Sequence, residues 1–113
     1  MIEKKMAFIS QPMRGKSEEE IRQTRERATA ALEAAGYTVV DSFFSDEWHS
    51  SETLEKHGVQ NIPLFFLAKS LAAMSMCDTA YFCKDWDAAR GCRVEHEVAG
   101  VYGLTMLYEG ADE

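Results

Sequence analysis

The chain reads as an α/β domain of the flavodoxin-like, Rossmann-like kind, a mostly parallel sheet with helices on both faces. Two observations carry this. Short apolar runs bounded by turn residues alternate with longer stretches of helical periodicity along the whole chain. Strands separated by helix-length connections pair in parallel, because only antiparallel neighbours can be joined by a tight hairpin. A length of 113 residues supports one core and not two, so 1–113 is read as a single domain.

The first strand is Lys5 to Ser10, with Met6, Ala7, Phe8 and Ile9 as its apolar run. Gln11 to Lys16 is a loop, and Ser17-Glu-Glu-Glu20 is a capping box in which the Ser17 hydroxyl accepts from the Glu20 amide. A helix from about Glu18 to Ala35 follows, with Ile21, Ala28, Leu32 and Ala35 facing inward and Gly36 as a left-handed stop. Tyr37 to Asp41 is the second strand. Ser42 to Gln60 is a long functional loop that contains some helix, since a wholly structureless insert of that length is unusual. Asn61 caps the next helix, with Pro63 tolerated in its first turn and Leu64, Leu67, Leu71 and Met74 on one side, running to about Met76. Asp78 to Cys83 is the third strand and Lys84 to Arg90 its exit loop. A helix from Gly91 to Tyr102 is stopped by Gly103, Leu104 to Tyr108 closes the sheet, and the last residues form a frayed tail.

Composition narrows the class. Hydrophobic and charged contents of 46% and 27% are those of an ordinary globular chain, and a net charge of −7 argues against binding a nucleic-acid polymer, which needs a basic face. No stretch approaches the roughly 20 apolar residues of a membrane span, and the apolar run at the N-terminus is too short for a signal peptide. A cytoplasmic protein with no membrane partner is expected. The three cysteines, Cys77, Cys83 and Cys92, lack the density of a disulfide scaffold and read as reduced thiols. Cys92 and His96 share a helical spacing, but there is no paired Cys-x-x-Cys or His-x-x-x-His element, so no metal and no cofactor are expected.

In a parallel sheet, ligands sit beyond the carboxyl ends of the strands, which singles out two loops. The first holds Ser10, Gln11, Met13, Arg14, Gly15 and Lys16 just before a helix; free amides, helix dipole and guanidinium suit an anion, although the glycine spacing is not that of a Walker or dinucleotide loop. The second holds Asp85, Arg90 and Gly91, and leads to Glu95 and Ala99 one helical turn apart on one face. A carboxylate beyond a strand end, beside a glycine, is the outstanding candidate for chemistry. Glu97 points to another face and reads as a solvated acid, and Asp78 reads as a junction cap. Phe44 and Trp48 in the long loop, with Met13, are candidates to stack on a base, whereas Phe65 and Phe66 read as core or an oligomer contact.

Three segments together, Phe8-Ile-Ser-Gln-Pro-Met-Arg-Gly15, Cys77-Asp78 and Gly91-x-x-x-Glu95-x-x-x-Ala99, resemble the nucleoside 2-deoxyribosyltransferase superfamily. That superfamily includes the deoxynucleoside monophosphate N-glycosidases. The likeness extends from Met6 to Leu107 and is greatest to a short branch found in phages and Gram-positive bacteria. The resemblance implies a flavodoxin-like sheet, a homo-oligomer (dimer or tetramer), and Glu95 as a nucleophile that attacks the anomeric carbon. It implies Arg14 near the sugar or 5′-phosphate, Gly15 for close approach, and Arg90 as a second phosphate partner. The activity would be hydrolase or transferase at an N-glycosidic bond of a nucleoside or nucleotide.

Two positions depart from the superfamily pattern. Where its hydrolases carry an acid, about eight residues before the Asp78 position, this chain has Ser70; where they carry a phosphate-contacting serine, it has Ala89. General-acid help is typically worth about 100- to 10,000-fold, so a substitute is sought among Asp46, Glu47, His49, Asp85 and Asp87. The departures keep open a different class, a non-catalytic binder that sequesters or senses a small nucleotide, and beyond it a purely structural interaction protein.

Overall fold

The computed structural model describes residues 5–40 and 51–110. Four strands, β1 (Lys5–Ser10), β2 (Tyr37–Val39), β3 (Thr79–Phe82) and β4 (Thr105–Tyr108), form one sheet in the order β2-β1-β3-β4. Every pairing is parallel; Ala7 stands opposite both Val39 and Thr79, Ser10 opposite Phe82, and Phe82 opposite Tyr108. This is the flavodoxin-like strand order. The helices are α1 (Glu18–Ala34), α2 (Ser51–Lys56), α3 (Ile62–Met74) and α4 (Arg90–Val101).

The two-residue period of β1 divides the core. Ala7 and Ile9 pack with Tyr81 and Cys83 against Ala28 and Leu32 of α1, whereas Phe8, Ala80 and Phe82 pack against Ala73 and Met74 of α3 and Ala99 of α4. Helices therefore cover both faces, α1 on one and the α3–α4 pair on the other. Ser10, two residues beyond Phe8, shares the α3–α4 face. That single consequence of alternation decides where the site forms.

Local signals act as written. Ser17 and Glu20 bond reciprocally at the start of α1, at 3.1 and 2.8 Å, and Gly36 takes φ of 93° immediately after the Ala35 cap. Asn61 Oδ1 accepts from the Leu64 amide at 3.0 Å to open α3. The stretch after β2 does contain a helix, α2, anchored by a fully buried Leu54; Asp41, Phe44, Asp46, Glu47, Trp48 and His49 lie outside the described residues.

Other expectations are corrected. Strand β2 is short, ending at Val39, although the Val40 amide still donates to Ala7. Ala35 is the exposed cap of α1 and not part of its inner face. Helix α3 turns Ala73 and Met74 inward while Leu64 is 57% exposed. The sequence Ile-Pro-Leu-Phe-Phe-Leu-Ala is apolar on nearly every side, so periodicity carried no direction there. Helix α4 begins at Arg90, one residue earlier than expected, after a 3₁₀ turn at Trp86–Ala88. No described helix is long and apolar enough to cross a membrane.

Leu32 is 1% exposed and forms the contact of α1 with its sheet face. Leu32→Ala is expected to cost about 2–5 kcal/mol in urea unfolding, from lost burial and the cavity left behind. Ser17→Ala, which removes only the cap, should cost about 1 kcal/mol.

Candidate active site

Connections leave β1 and β3 in opposite directions: α1 carries the chain to β2 at one edge, and α4 carries it to β4 at the other. The carboxyl ends of β1 and β3 thus border a crevice at the topological switch point, the place where open α/β sheets bind ligands. Glu95 reaches it from the second turn of α4. It is 8% exposed, and Ser10 Oγ donates to its Oε1 at 2.5 Å, a separation typical of a charge-assisted O–H···O bond. Ser70 on α3 lines the same cleft as the carboxylate.

Burial is the dominant influence on Glu95 and raises its pKa to about 7; the Ser10 and Ser70 hydroxyls act in the opposite direction. Glu95 therefore titrates near neutrality, where a carboxylate is more basic and more nucleophilic than an exposed one. Behind Ser10 lies Cys92, whose thiol bonds to the serine and is pushed up by burial to about 11. Cys83 is pushed up to about 12 for the same reason. Both are packed thiols with little thiolate character.

Glu95 forms part of the lining of a cleft of about 490 Å³ between α3 and α4, a size that suits a nucleotide-sized molecule. Pro63, Leu64, Phe66 and Leu67 give the α3 wall; Arg90, Gly91 and Val94 give the α4 wall. Asn61 stands at the end of α3, and because its Oδ1 is spent on the helix cap its amide NH₂ is what it offers to the cleft.

The two helix N-termini near the crevice differ. The first turn of α1 is closed by its capping box and holds Glu18, Glu19 and Glu20, which repel an anion. The first turn of α4 has no side-chain cap and no acid, begins at Arg90, and has open space where a Gly91 Cβ would stand. By helix dipole and unsatisfied amides, α4 is the better anion seat.

An aromatic group fixes α4 in place. Trp86 stacks on His96 with ring centres 4.0 Å apart and planes 18° apart. His96 Nε2 lies 2.7 Å from the Tyr108 hydroxyl, and Phe82 meets both His96 and Tyr108 from the sheet. His96 is thus occupied by the β4 edge while Cys92 faces Ser10. Among the described residues there is no cluster of three metal-ligating side chains.

The structure brings Arg90, Gly91 and Glu95 together in the cleft wall, with Ser10 behind the carboxylate and closed to solvent at 1% exposure. Gln11 is buried and turned away, its Nε2 donating to Ile21 at 3.0 Å. Met13, Arg14 and Gly15 occupy the exposed turn after β1, outside the cleft lining. Asp85 is also exposed, on the turn after β3, in a left-handed conformation with φ of 69°, rare for a residue with a side chain. Glu97 is exposed, as its helix position required. Asn61, Phe66, Leu67 and Val94 were not singled out from sequence as ligand contacts. The all-round apolarity of α3 was the available signal, because such a helix needs more than one surface to pack against.

The pKa of Glu95 has a measurable consequence for stability. Its folded value, about 7, lies above the ordinary carboxylate value of 4.5, so between those pH values the folded chain binds more protons than the unfolded one and stability falls as pH rises. The loss is complete above about pH 7 and amounts to at most about 3 kcal/mol. Glu95→Gln should therefore stabilise the protein most above pH 7 and flatten its urea-unfolding profile between pH 4.5 and 7.

Neither the curated proteins nor the solved structures yielded a match. One family does, over nearly the whole of the fold: its model covers residues 5–108, from the first residue of β1 to the last of β4. The chain belongs to that family, described as a domain of unknown function (DUF4406).

Proposed function

We propose that the protein binds a nucleoside or nucleotide and breaks its N-glycosidic bond, by hydrolysis or by deoxyribosyl transfer, with Glu95 as nucleophile. The observation that carries this reading is a buried carboxylate, held by Ser10 at the sheet's switch point, in the wall of a cleft that is apolar along α3 and anion-accepting at the start of α4. The base occupies the apolar part, against Pro63, Phe66, Leu67 and Val94. The sugar lies with its anomeric carbon at Glu95. A phosphate, where the ligand has one, sits at Arg90 and the amides around Gly91. This assigns the phosphate to the α4 side and leaves Arg14 to approach the ligand only from the outer turn.

In the first step a Glu95 oxygen forms a bond to the anomeric carbon as the carbon–nitrogen bond breaks, and the base departs with that electron pair and takes up a proton. In the second, water or an acceptor hydroxyl attacks the same carbon, loses a proton, and releases the carboxylate. The chemistry requires no cofactor. Three free thiols, two of them buried, and a small-nucleotide ligand fit a cytoplasmic setting.

A second reading is favoured by one specific observation. The groups acting on Glu95 are the Ser10 and Ser70 hydroxyls, and among the described residues no second carboxyl group bonds to it. A site with one carboxylate and no paired acid suits a protein that holds a nucleotide without cleaving it.

A panel of nucleosides and deoxynucleotides, assayed for free base and for bound ligand, separates the two. Base release that Glu95→Gln abolishes, with an acid limb near pH 7 as Glu95 ionises, supports the enzyme. Tight binding without product, retained in Glu95→Gln, supports the binder; no binding at all defeats both. Gly91→Val should weaken ligand binding at least tenfold while leaving the thermal melt nearly unchanged, because none of the described residues lies within 4 Å of the position its Cβ would take.

The reading includes a second copy of the chain. No acidic residue occurs between Glu55 and Asp78, although the chain carries 19 acids, and away from the cleft α3 exposes Ala68 and Ala72, with exposed Met76 just beyond its end. Two chains of charge −7 approach with least repulsion through such a face, and charge-poor apolar surfaces are typical of interface cores. Sedimentation should give a dimer or tetramer that Ala68→Arg reduces to the monomer; a monomeric wild-type chain would remove this part of the reading.

A further inference from the structure

The charges that line the cleft point to one class of base. We propose that the ligand is a pyridinium-type nucleotide, whose base carries a fixed positive charge on the nitrogen that holds the sugar, and that Glu95 recognises that charge. The inference rests on the reading of Glu95 as the functional carboxylate of this cleft, and it deepens that reading to a substrate class.

The layout of charge is the first support. Among the described residues that line the cleft, Arg90 and Glu95 are the charged ones. Arg90 opens α4, and Glu95 lies about 7.5 Å further along the helix axis. The cleft therefore offers a cation at the start of α4 and an anion in its second turn, with neutral side chains opposite them on α3. A nucleotide of the proposed class has the reverse pattern, a phosphate on one side of its sugar and a positive ring nitrogen on the other. It meets both charges at once, whereas a nucleotide with a neutral base meets only Arg90.

Burial is the second support. Glu95 is 8% exposed, and its Oε1 accepts from Ser10 at 2.5 Å. That hydroxyl supplies a hydrogen bond and no charge. An ionised carboxylate in an apolar wall is costly until a counter-charge meets it, and the attraction between the two is larger there than in water. A ring cation lying against Leu67 and Val94 is placed to supply that counter-charge, and Phe66 adds to the same wall an aromatic ring of the kind that attracts cations.

The chemistry agrees. A Glu95 oxygen bonds to the anomeric carbon as the carbon–nitrogen bond breaks, and the electron pair returns to the positive nitrogen. The base leaves neutral and takes up no proton. Water then bonds to the anomeric carbon, the ester carbon–oxygen bond breaks with its pair returning to Glu95, and the proton from water passes to solvent. Ser70, which lines the cleft beside Glu95, is too weak an acid to protonate a leaving base, and this substrate requires no such proton.

Nicotinamide mononucleotide and its dihydro form are the probes, because they share sugar, phosphate and outline and differ in the charge of the ring. Affinity is measured at pH 8, where Glu95, with its pKa of about 7, is ionised, by equilibrium dialysis or as KM where product forms. The wild type should hold the pyridinium form tighter by about tenfold or more, the effect of a close charge pair in a desolvated site. Glu95→Gln should bring the two affinities together, and Arg90→Gln should weaken both alike because the phosphate is common to them. If Glu95→Gln does not fold, Glu95→Ala decides in its place. Equal affinities in the wild type, a preference that survives the loss of Glu95, or no binding of either form overturns the proposal. Equal affinities alongside base release from neutral nucleosides would leave the glycosidic reading standing without this substrate class. A preference that depends on Glu95, with no nicotinamide released, would uphold the charge recognition and count against cleavage.

Discussion

A single hydrogen bond ties the parts of this molecule together. Ser10 at the end of β1 meets Glu95 on α4 across 85 residues of chain, and the bond exists only because the sheet is parallel with β1 beside β3. A parallel sheet sends every strand's carboxyl end to the same edge, and the reversal in strand order splits the outgoing connections there. The alternation of β1 then determines that Ser10 shares the face of Phe8 and not that of Ile9. A shift of one residue in that strand would put Ser10 under α1 and leave Glu95 buried without a donor, an arrangement costing several kcal/mol.

The helices divide their work. Helix α1 seals one face and neutralises its own N-terminus with a capping box and three glutamates. Helix α4 carries the carboxylate, starts without a cap, and is braced by Trp86, His96 and Tyr108 against the ends of β3 and β4. Bracing on the buried side and an open first turn on the other make α4 a rigid element with one reactive end. Helix α3 supplies the opposing wall and Ser70. A carboxylate placed this way is destabilising to the folded state above neutral pH, the kind of local cost that persists at functional sites.

Much of the fold was legible in sequence because its signals are local. The Ser17–Glu20 box, the Gly36 stop, the Asn61 cap and the apolar run of β1 each act within one turn or one strand. The inward side of α3 was not legible, since Leu64, Phe65, Phe66 and Leu67 surround the helix and supply no preferred face. Asp85 was legible as a polar loop residue, but its left-handed backbone follows from how the chain must turn out of β3 into the 3₁₀ segment. The first loop read as suited to an anion from its free amides, helix dipole and guanidinium. Its electrostatics are decided by the acidic first turn that follows it, which closes α1 to an anion.

What the sequence by itself determined is the alternating α/β architecture, its caps and stops, and the position of Glu95 just past the third strand, all consequences of short-range backbone preference and periodicity. Only the tertiary structure decided what surrounds that carboxylate. Ser10 comes from one strand end and Ser70 from a helix that packs beside α4, and Glu95 acquires its near-neutral pKa because these elements exclude water together. Desolvation is a property of the packed assembly, and no residue carries it in sequence.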